Sequence, residues 1–290
     1  MADYLITTES TSDLAKKIYE EQNIRVIRME YMIDGGEPQF DEMTEASAFA
    51  MFQKMREGSV VTTALVSTAR FLDFWRPLLA EGFAILHICF SSALSGTYNC
   101  ALAAAEELSG EFPARSIYVV DSRGASGGQG LLVLHAAAQK HNGLSLLACR
   151  DFAESQKLTV EHLFTVDDLV YLRRGGRVSA AAAAFGTLLS IKPAMDMDFE
   201  GHLVPREKVK GRLASIKWIR DHFLASYDPA LNPYVIICHA DCLDDAERLK
   251  AMLLAELPDL DVRFSFIGAI IGAHSGPGTL ALFFRGNGRR

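Results

Sequence analysis

The feature that most constrains this fold is a recurring unit: an apolar run of strand length, a turn rich in hydroxyls or glycine, then residues with helical spacing. Tyr4 to Thr8 enters the turn Thr8-Glu9-Ser10-Thr11-Ser12 and an amphipathic segment from Asp13 to Glu21. Phe83 to Phe90 enters Ser91-Ser92-Ala93-Leu94-Ser95-Gly96-Thr97 and an Ala- and Glu-rich helix, Tyr98 to Leu108. Ser116 to Val120 closes at Asp121-Ser122, with a Gly-rich turn expected over Gly124 to Gly130 and then a helix to about His141. Apolar strands alternating with helices require right-handed crossovers and a mainly parallel sheet covered on both faces.

The pattern changes near His162. Phe164-Thr165 and Leu189 to Met195 read as strands, Asp198 to Gly201 as a turn, and Leu203 to Val209 leads into a helix from about Lys210 to Ala225. Tyr234 to His239, a helix from Leu243 to Leu254, Val262 to Phe266 and Leu280 to Phe284 complete a second set. The alanine run Ala180 to Ala184 reads as a tightly packed helix, and Ile24 to Ile33 as a strand entering the Asp34-Gly35-Gly36 turn. A chain of 290 residues fits two domains of ordinary size. The expectation is therefore an α/β protein: residues 1–160 form an N-terminal domain around a mainly parallel sheet flanked by helices, and residues 161–290 form a mixed α/β domain whose last segment is free to return to the first.

Charge and composition narrow the function. The formal net charge is −7, which argues against a phosphate-backbone binder, so no nucleic acid partner is expected. The opening MADYLITTESTSDLAKK has no basic segment followed by an apolar one, and Phe264 to Phe284 is interrupted by His274, Ser275 and Pro277. A cytoplasmic protein with no stable membrane insertion is expected. Cys89, Cys100, Cys149, Cys238 and Cys242 are odd in number and scattered, which suits reduced thiols.

In parallel sheets ligands bind beyond the carboxyl ends of strands, and here those ends carry hydroxyls and glycines ahead of helices. Ser91 to Thr97, Thr62-Thr63 and Thr7 to Thr11 are the three such loops; helix capping is the plainer role for each taken alone. Gly272-Ala273-His274-Ser275-Gly276-Pro277-Gly278 sets one histidine among small residues and reads as a site loop or a tight turn. Arg173-Arg174-Gly175-Gly176-Arg177 is a solvated basic turn or an arginine aimed at an anion. Cys238-His239-Ala240-Asp241-Cys242 lacks a second ligand cluster, so no metal is expected. Gly124 to Gly130 matches neither the dinucleotide fingerprint nor the P-loop, and Ser95 lacks the glycines of a nucleophile elbow.

These segments, taken in order, resemble the DegV family, the group that includes the fatty-acid-binding subunit (FakB) of bacterial fatty acid kinase. The match rests on Thr7-Thr8-Glu9-Ser10-Thr11-Ser12-Asp13-Leu14, Thr62-Thr63, Ser91 to Tyr98, Val120-Asp121-Ser122, Leu163 to Leu169, Leu172 to Arg177, Ile191-Lys192-Pro193 and Gly272 to Gly278. It implies a two-domain α/β carrier, not an enzyme, with one long-chain fatty acid in a tunnel at the domain interface. By motif position Thr63 and Ser95, with Gly96 and Thr97, would hold the carboxylate, and Arg177 and His274 would lie beside it. Phe185, Leu188, Leu189 and Ile270 are the expected tunnel lining. No cofactor is implied, because ATP belongs to a separate kinase subunit, for which Arg206 is a candidate contact beside the plainer role of a solvated residue. The chain departs from the family pattern at Thr63-Ala64-Leu65-Val66-Ser67, where Thr-Ser-Gln-Pro-Ser is usual, and at Glu9, where Asp is usual.

Physical reasoning fits a carrier. Burying an acyl chain is worth about 0.8 kcal/mol per CH₂, so a sixteen-carbon acid offers roughly 10 kcal/mol and the polar groups need only orient it. The rival readings are a serine hydrolase or thioesterase using Ser95 and His274, and a binder of another amphipathic ligand.

Overall fold

The computed structural model describes residues 3–178 and 191–289. Its first part runs β1 (Tyr4–Glu9), α1 (Lys16–Glu21), β2 (Ile24–Ile27), β3 (Glu30–Ile33), β4 (Gln39–Phe40), α2 (Glu45–Arg56), β5 (Val61–Ala64) and α3 (Thr68–Ala80). It continues with β6 (Ala84–Cys89), α4 (Thr97–Glu111), β7 (Ile117–Asp121), α5 (Ser126–His141) and α6 (Leu146–Gln156). The second part runs β8 (Val160–Thr165), α7 (Val170–Arg174), β9 (Ile191–Met197), β10 (Leu203–Lys210), α8 (Arg212–Ser226), β11 (Val235–His239), α9 (Leu243–Glu256), β12 (Val262–Phe266), α10 (Ala269–Ser275) and β13 (Leu280–Arg285). The alanine run 180–184 lies outside the described residues.

Four strands form a parallel sheet in the order β2-β1-β6-β7. Every residue of β1 and β6 is buried, which is why both are mostly apolar or hydroxyl-bearing instead of alternating, with Glu9 and His87 as the buried exceptions. Hydroxyl caps begin several covering helices: Thr44 for α2, Ser67 for α3 and Ser145 for α6 each accept a backbone N–H in the first turn. A small antiparallel sheet, β4-β3-β5, sits beside this one.

The second sheet is mixed, ordered β10-β9-β8-β13-β11-β12, with β11 and β12 parallel and the remaining pairs antiparallel. Its strands alternate: Leu163, Leu282 and Phe284 pack into one core with Ile216 and Phe223 of α8, while Phe164 and Phe283 belong to the core shared with the first sheet.

Helix α5 touches β1 and β6 of the first sheet and β8, β11 and β13 of the second. Of the glycines expected to form a turn, Gly124 does lie in a loop, whereas Gly127, Gly128 and Gly130 are helical, because a helix caught between two sheets needs small residues on both flanks. A methyl on Gly128 would fall 2.1 Å from His162 Nε2, and one on Gly130 would fall 2.5 Å from the Ser12 carbonyl oxygen. The same holds for the histidine motif. Ala269 to Ser275 is helical and only the segment from Gly276 turns, with Gly276 at φ +81°; Gly272 lets the helix lie on Phe52, 2.4 Å from where its Cβ would be. Leu203 to Lys210 is a strand, and the helix after it begins at Arg212. Arg173 and Arg174 close the one-turn helix α7, so only the remainder of that basic segment is a turn.

Among the described residues no helix is long and apolar enough to cross a membrane.

Candidate functional site

A cavity of about 240 Å³ is lined by β8, β9, β10 and β13 of the second sheet, by β5 of the small sheet, by α5, α7 and α10, and by the loops that follow β1 and β6. Its walls are mostly apolar: Met29, Phe90, Leu94, Phe164, Met197, Leu203, Ile270, Ile271 and Phe283 among others. Strand period places Phe164 here while its neighbours Leu163 and Thr165 face away. Of the expected lining residues Ile270 is on the wall; Phe185, Leu188 and Leu189 lie outside the described residues.

Part of the polar lining clusters around Thr63 and His274. Thr63 on β5 faces inward while Thr62 is exposed, and Thr63 Oγ1 lies 2.8 Å from His274 Nε2 in the last turn of α10. Burial, with the Arg177 charge added, lowers the His274 pKa to about 4, so its ring is neutral at neutral pH. Arg177 is half-buried; its Nε donates to the Leu94 carbonyl at 3.3 Å and its Nη1 to the Gly175 carbonyl. Ser95 follows Leu94, and its Oγ pairs with Thr97 Oγ1 at 2.9 Å and accepts the Thr97 N–H at 3.2 Å. Among the described lining residues Arg177 is the one permanently charged side chain, and none is a carboxylate. Gly96 and Leu65, beside Ser95 and Thr63, are both on the wall and both exposed.

Thr63, Ser95, Gly96, Arg177 and His274 thus share one wall, whereas Thr97 does not. Thr97 is fully buried behind Ser95, where Oγ1 accepts the Val66 N–H at 3.3 Å; it orients the loop and does not face the cavity. Ser95 and His274 make no hydrogen bond to each other, and the described partner of His274 Nε2 is a threonine, so the attack geometry of a serine hydrolase is not assembled. Arg206 lies on β10, away from the cavity, with Nε 2.7 Å from both oxygens of Asp196.

Four polar residues on the wall, Ser126, His162, Ser275 and Thr279, were not singled out from the sequence. Ser275 carries a buried hydroxyl with no hydrogen-bond partner among the described residues, and its place beside His274 in a small-residue motif was the available signal. His162 accepts the Ala125 N–H at Nε2 (3.1 Å), so its proton sits on Nδ1 and is donated to the Val160 carbonyl (3.1 Å); burial, then Arg289, holds its pKa far below the usual range.

Comparison with known proteins settles the family. The DegV model, described as "Uncharacterised protein, DegV family", matches residues 4–287. The chain belongs to the DegV family. A DegV domain-containing protein of Clostridium perfringens is 40% identical over 290 residues, covering 99% of each chain. Two solved DegV structures share the fold. A DegV family protein of Thermus thermophilus, described by its fatty acid binding, is 30% identical with a TM-score of 0.85, covering 99% of this chain and 100% of its own. DegV of Bacillus subtilis, described as a fatty acid binding protein, is 28% identical with the same TM-score of 0.85 and the same coverage, 99% and 100%.

Proposed function

We propose that this DegV protein is a carrier that buries the acyl chain of a long-chain fatty acid and holds its carboxylate beside Thr63 and Ser95. The observation that carries this reading is the lining: mostly apolar walls, one arginine, the Thr63 and Ser95 hydroxyls near it, and no carboxylate among the described lining residues. A neutral His274 and the Thr63 and Ser95 hydroxyls supply hydrogen bonds without adding charge, and Arg177 supplies the counter-charge. The fatty acid binding of the Thermus and Bacillus relatives supports the same assignment.

The finer reading is that the bound acid is presented to a separate ATP-binding kinase subunit for conversion to an acyl phosphate. Exposure of Gly96 and Leu65 beside Ser95 and Thr63 supports it, because a carboxylate anchored there lies at the surface and not at the bottom of the cavity. Presentation requires that geometry; storage alone does not.

Mass spectrometry of an organic extract from the purified protein tests the carrier. A stoichiometric fatty acid, co-purified or taken up from a panel of free acids, is the expected result; an extract that stays empty after such incubation overturns it.

A further inference from the structure

The β9–β10 ribbon forms one wall of the cavity through Met197 and Leu203; α8 packs on both its strands, but few backbone pairs join it to the rest of its sheet. Its two strands pair with each other from Met197 and Leu203 to Ile191 and Lys210, whereas β9 is in register with β8 only at Ala194 and Met195. Strand β10 is an edge with no further neighbour in the sheet. A two-stranded ribbon hinged at two residues is not rigid by itself.

What holds its tip lies outside the sheet. Ser91 Oγ donates to the Gly201 carbonyl at 2.9 Å, and Arg123 Nη1 donates to the Phe199 carbonyl at 2.9 Å. Arg289 joins these parts: its guanidinium donates to the carbonyls of Val160 (2.8 Å), Lys157 (3.2 Å), Asp198 (3.3 Å) and Arg123. Those carbonyls belong to the connection before β8, the ribbon tip, and the loop after β7 that leads to Ala125 and Ser126 on the cavity wall. The tail is itself fixed by backbone bonds from Gly286 to Thr159 and from Arg289 to Leu158. A buried guanidinium satisfied by four carbonyls is a fork that no other side chain reproduces.

We propose that Arg289 is a positioning residue for acyl binding: it latches the tip of the β9–β10 ribbon against the first sheet's loops and so sets how long a bound acyl chain is retained. The proposal rests on the carrier reading. The test is the release of cis-parinaric acid, a fluorescent fatty acid, from the preloaded full-length protein into excess phosphatidylcholine vesicles, with association measured separately. Arg289→Gln is expected to release it at least tenfold faster while association changes less than twofold. Arg289→Lys should remain at least threefold faster, because an ammonium cannot span the same carbonyls. Release within twofold of wild type from folded Arg289→Gln protein overturns the latch. If that variant does not fold, Arg123→Gln, which withdraws the bond to Phe199, serves instead: threefold faster release is expected, and unchanged release overturns the proposal. Failure of the wild type to take up the probe overturns the carrier reading and the latch together, whereas normal uptake with unchanged release removes the latch alone.

Discussion

Two Thr–His pairs of the same length sit in opposite settings. Thr7 Oγ1 lies 2.8 Å from His87 Nδ1 and Thr63 Oγ1 lies 2.8 Å from His274 Nε2. The first pair is sealed in the parallel sheet and brings its own anion: His87 Nε2 is 3.1 Å from Glu9 Oε1, which also accepts from Cys89 at 2.8 Å, while Glu9 Oε2 accepts from Gln129 at 2.8 Å and the Phe90 amide at 3.1 Å. The second pair stands on a cavity wall where the charged neighbour is Arg177 and no carboxylate is present among the described lining residues. A closed network stabilises a fold; one that lacks its anion is equipped to receive one. Removing the anion from the sealed network is the harshest way to break this contrast. Glu9→Ala strands three buried donors, His87 Nε2, Cys89 and the Phe90 amide, while Gln129 keeps Thr8 Oγ1 and the Ile88 carbonyl, and should cost on the order of 3–5 kcal/mol in urea unfolding. A loss below about 1 kcal/mol would mean that Glu9 does not hold that network together.

The two networks should also titrate in different pH windows. Burial alone would raise the Glu9 pKa, but the facing His87 and the bonds from Cys89 and Gln129 bring it below the usual value. Its contribution is therefore present above the unfolded carboxylate range and is lost only as pH falls through the lower folded value. His274 behaves oppositely. Its folded pKa is about 4 against 6.5 in the unfolded chain, so from pH 7 to pH 5 the unfolded state takes up a proton that the folded state refuses. Stability should fall by about 2 kcal/mol over that interval from His274 alone. His135 and His162 add to the wild-type slope, so the diagnostic is the difference: His274→Gln should flatten it in urea unfolding measured at several pH values. Parallel slopes for the two proteins would exclude a neutral, buried His274.

At the cavity, changes should spare the fold and weaken the ligand. Arg177→Met is expected to reduce fatty acid affinity about 10- to 100-fold, the worth of roughly 1.5–3 kcal/mol for hydrogen bonds to a charged group, and Ser95→Ala by less. Unfolding of the unliganded protein should move by under about 1 kcal/mol in either case. Fluorescence displacement titrations measure the first quantity, and unchanged affinity in Arg177→Met would remove the counter-ion from the site.

How far the sequence led depends on whether the controlling contacts are local. The central strands of the parallel sheet were legible because burial of β1 and β6 on both faces makes them mostly apolar, and Thr63, Ser95, Gly96, Arg177 and His274 were legible as motif positions. Only the start of the turn expected over Gly124 to Gly130 is a loop; Gly127, Gly128 and Gly130 are helical, and what requires Gly128 and Gly130 is His162 and Ser12, far away along the chain. The helical start of the His274 motif was hidden for the same reason: Gly272 answers to Phe52 on α2, not to a turn. Thr97 was placed in the site because a loop hydroxyl looks the same in sequence whether it faces a ligand or props its neighbour. Arg289 carried no sequence signal at all, because backbone carbonyls, its partners, have no residue identity.

The smallest effect belongs to Arg206. Its ion pair with Asp196, one Nε–H shared between both carboxylate oxygens, is partly exposed, with side chains 35% and 19% accessible, and such pairs contribute little to stability. Arg206→Gln should shift urea unfolding by less than about 1 kcal/mol and leave fatty acid affinity unaltered, since neither partner lines the cavity. Its value lies in separating binding from presentation. If the ribbon is a surface on which an ATP-binding subunit docks, acyl phosphate formation by that subunit should slow several-fold with Arg206→Gln carrier while loading with acid stays complete. An unchanged rate would move the docking contact off the ribbon and leave the exposed wall at Gly96 and Leu65, the point at which the carboxylate itself must be reached, as the surface to mutate next.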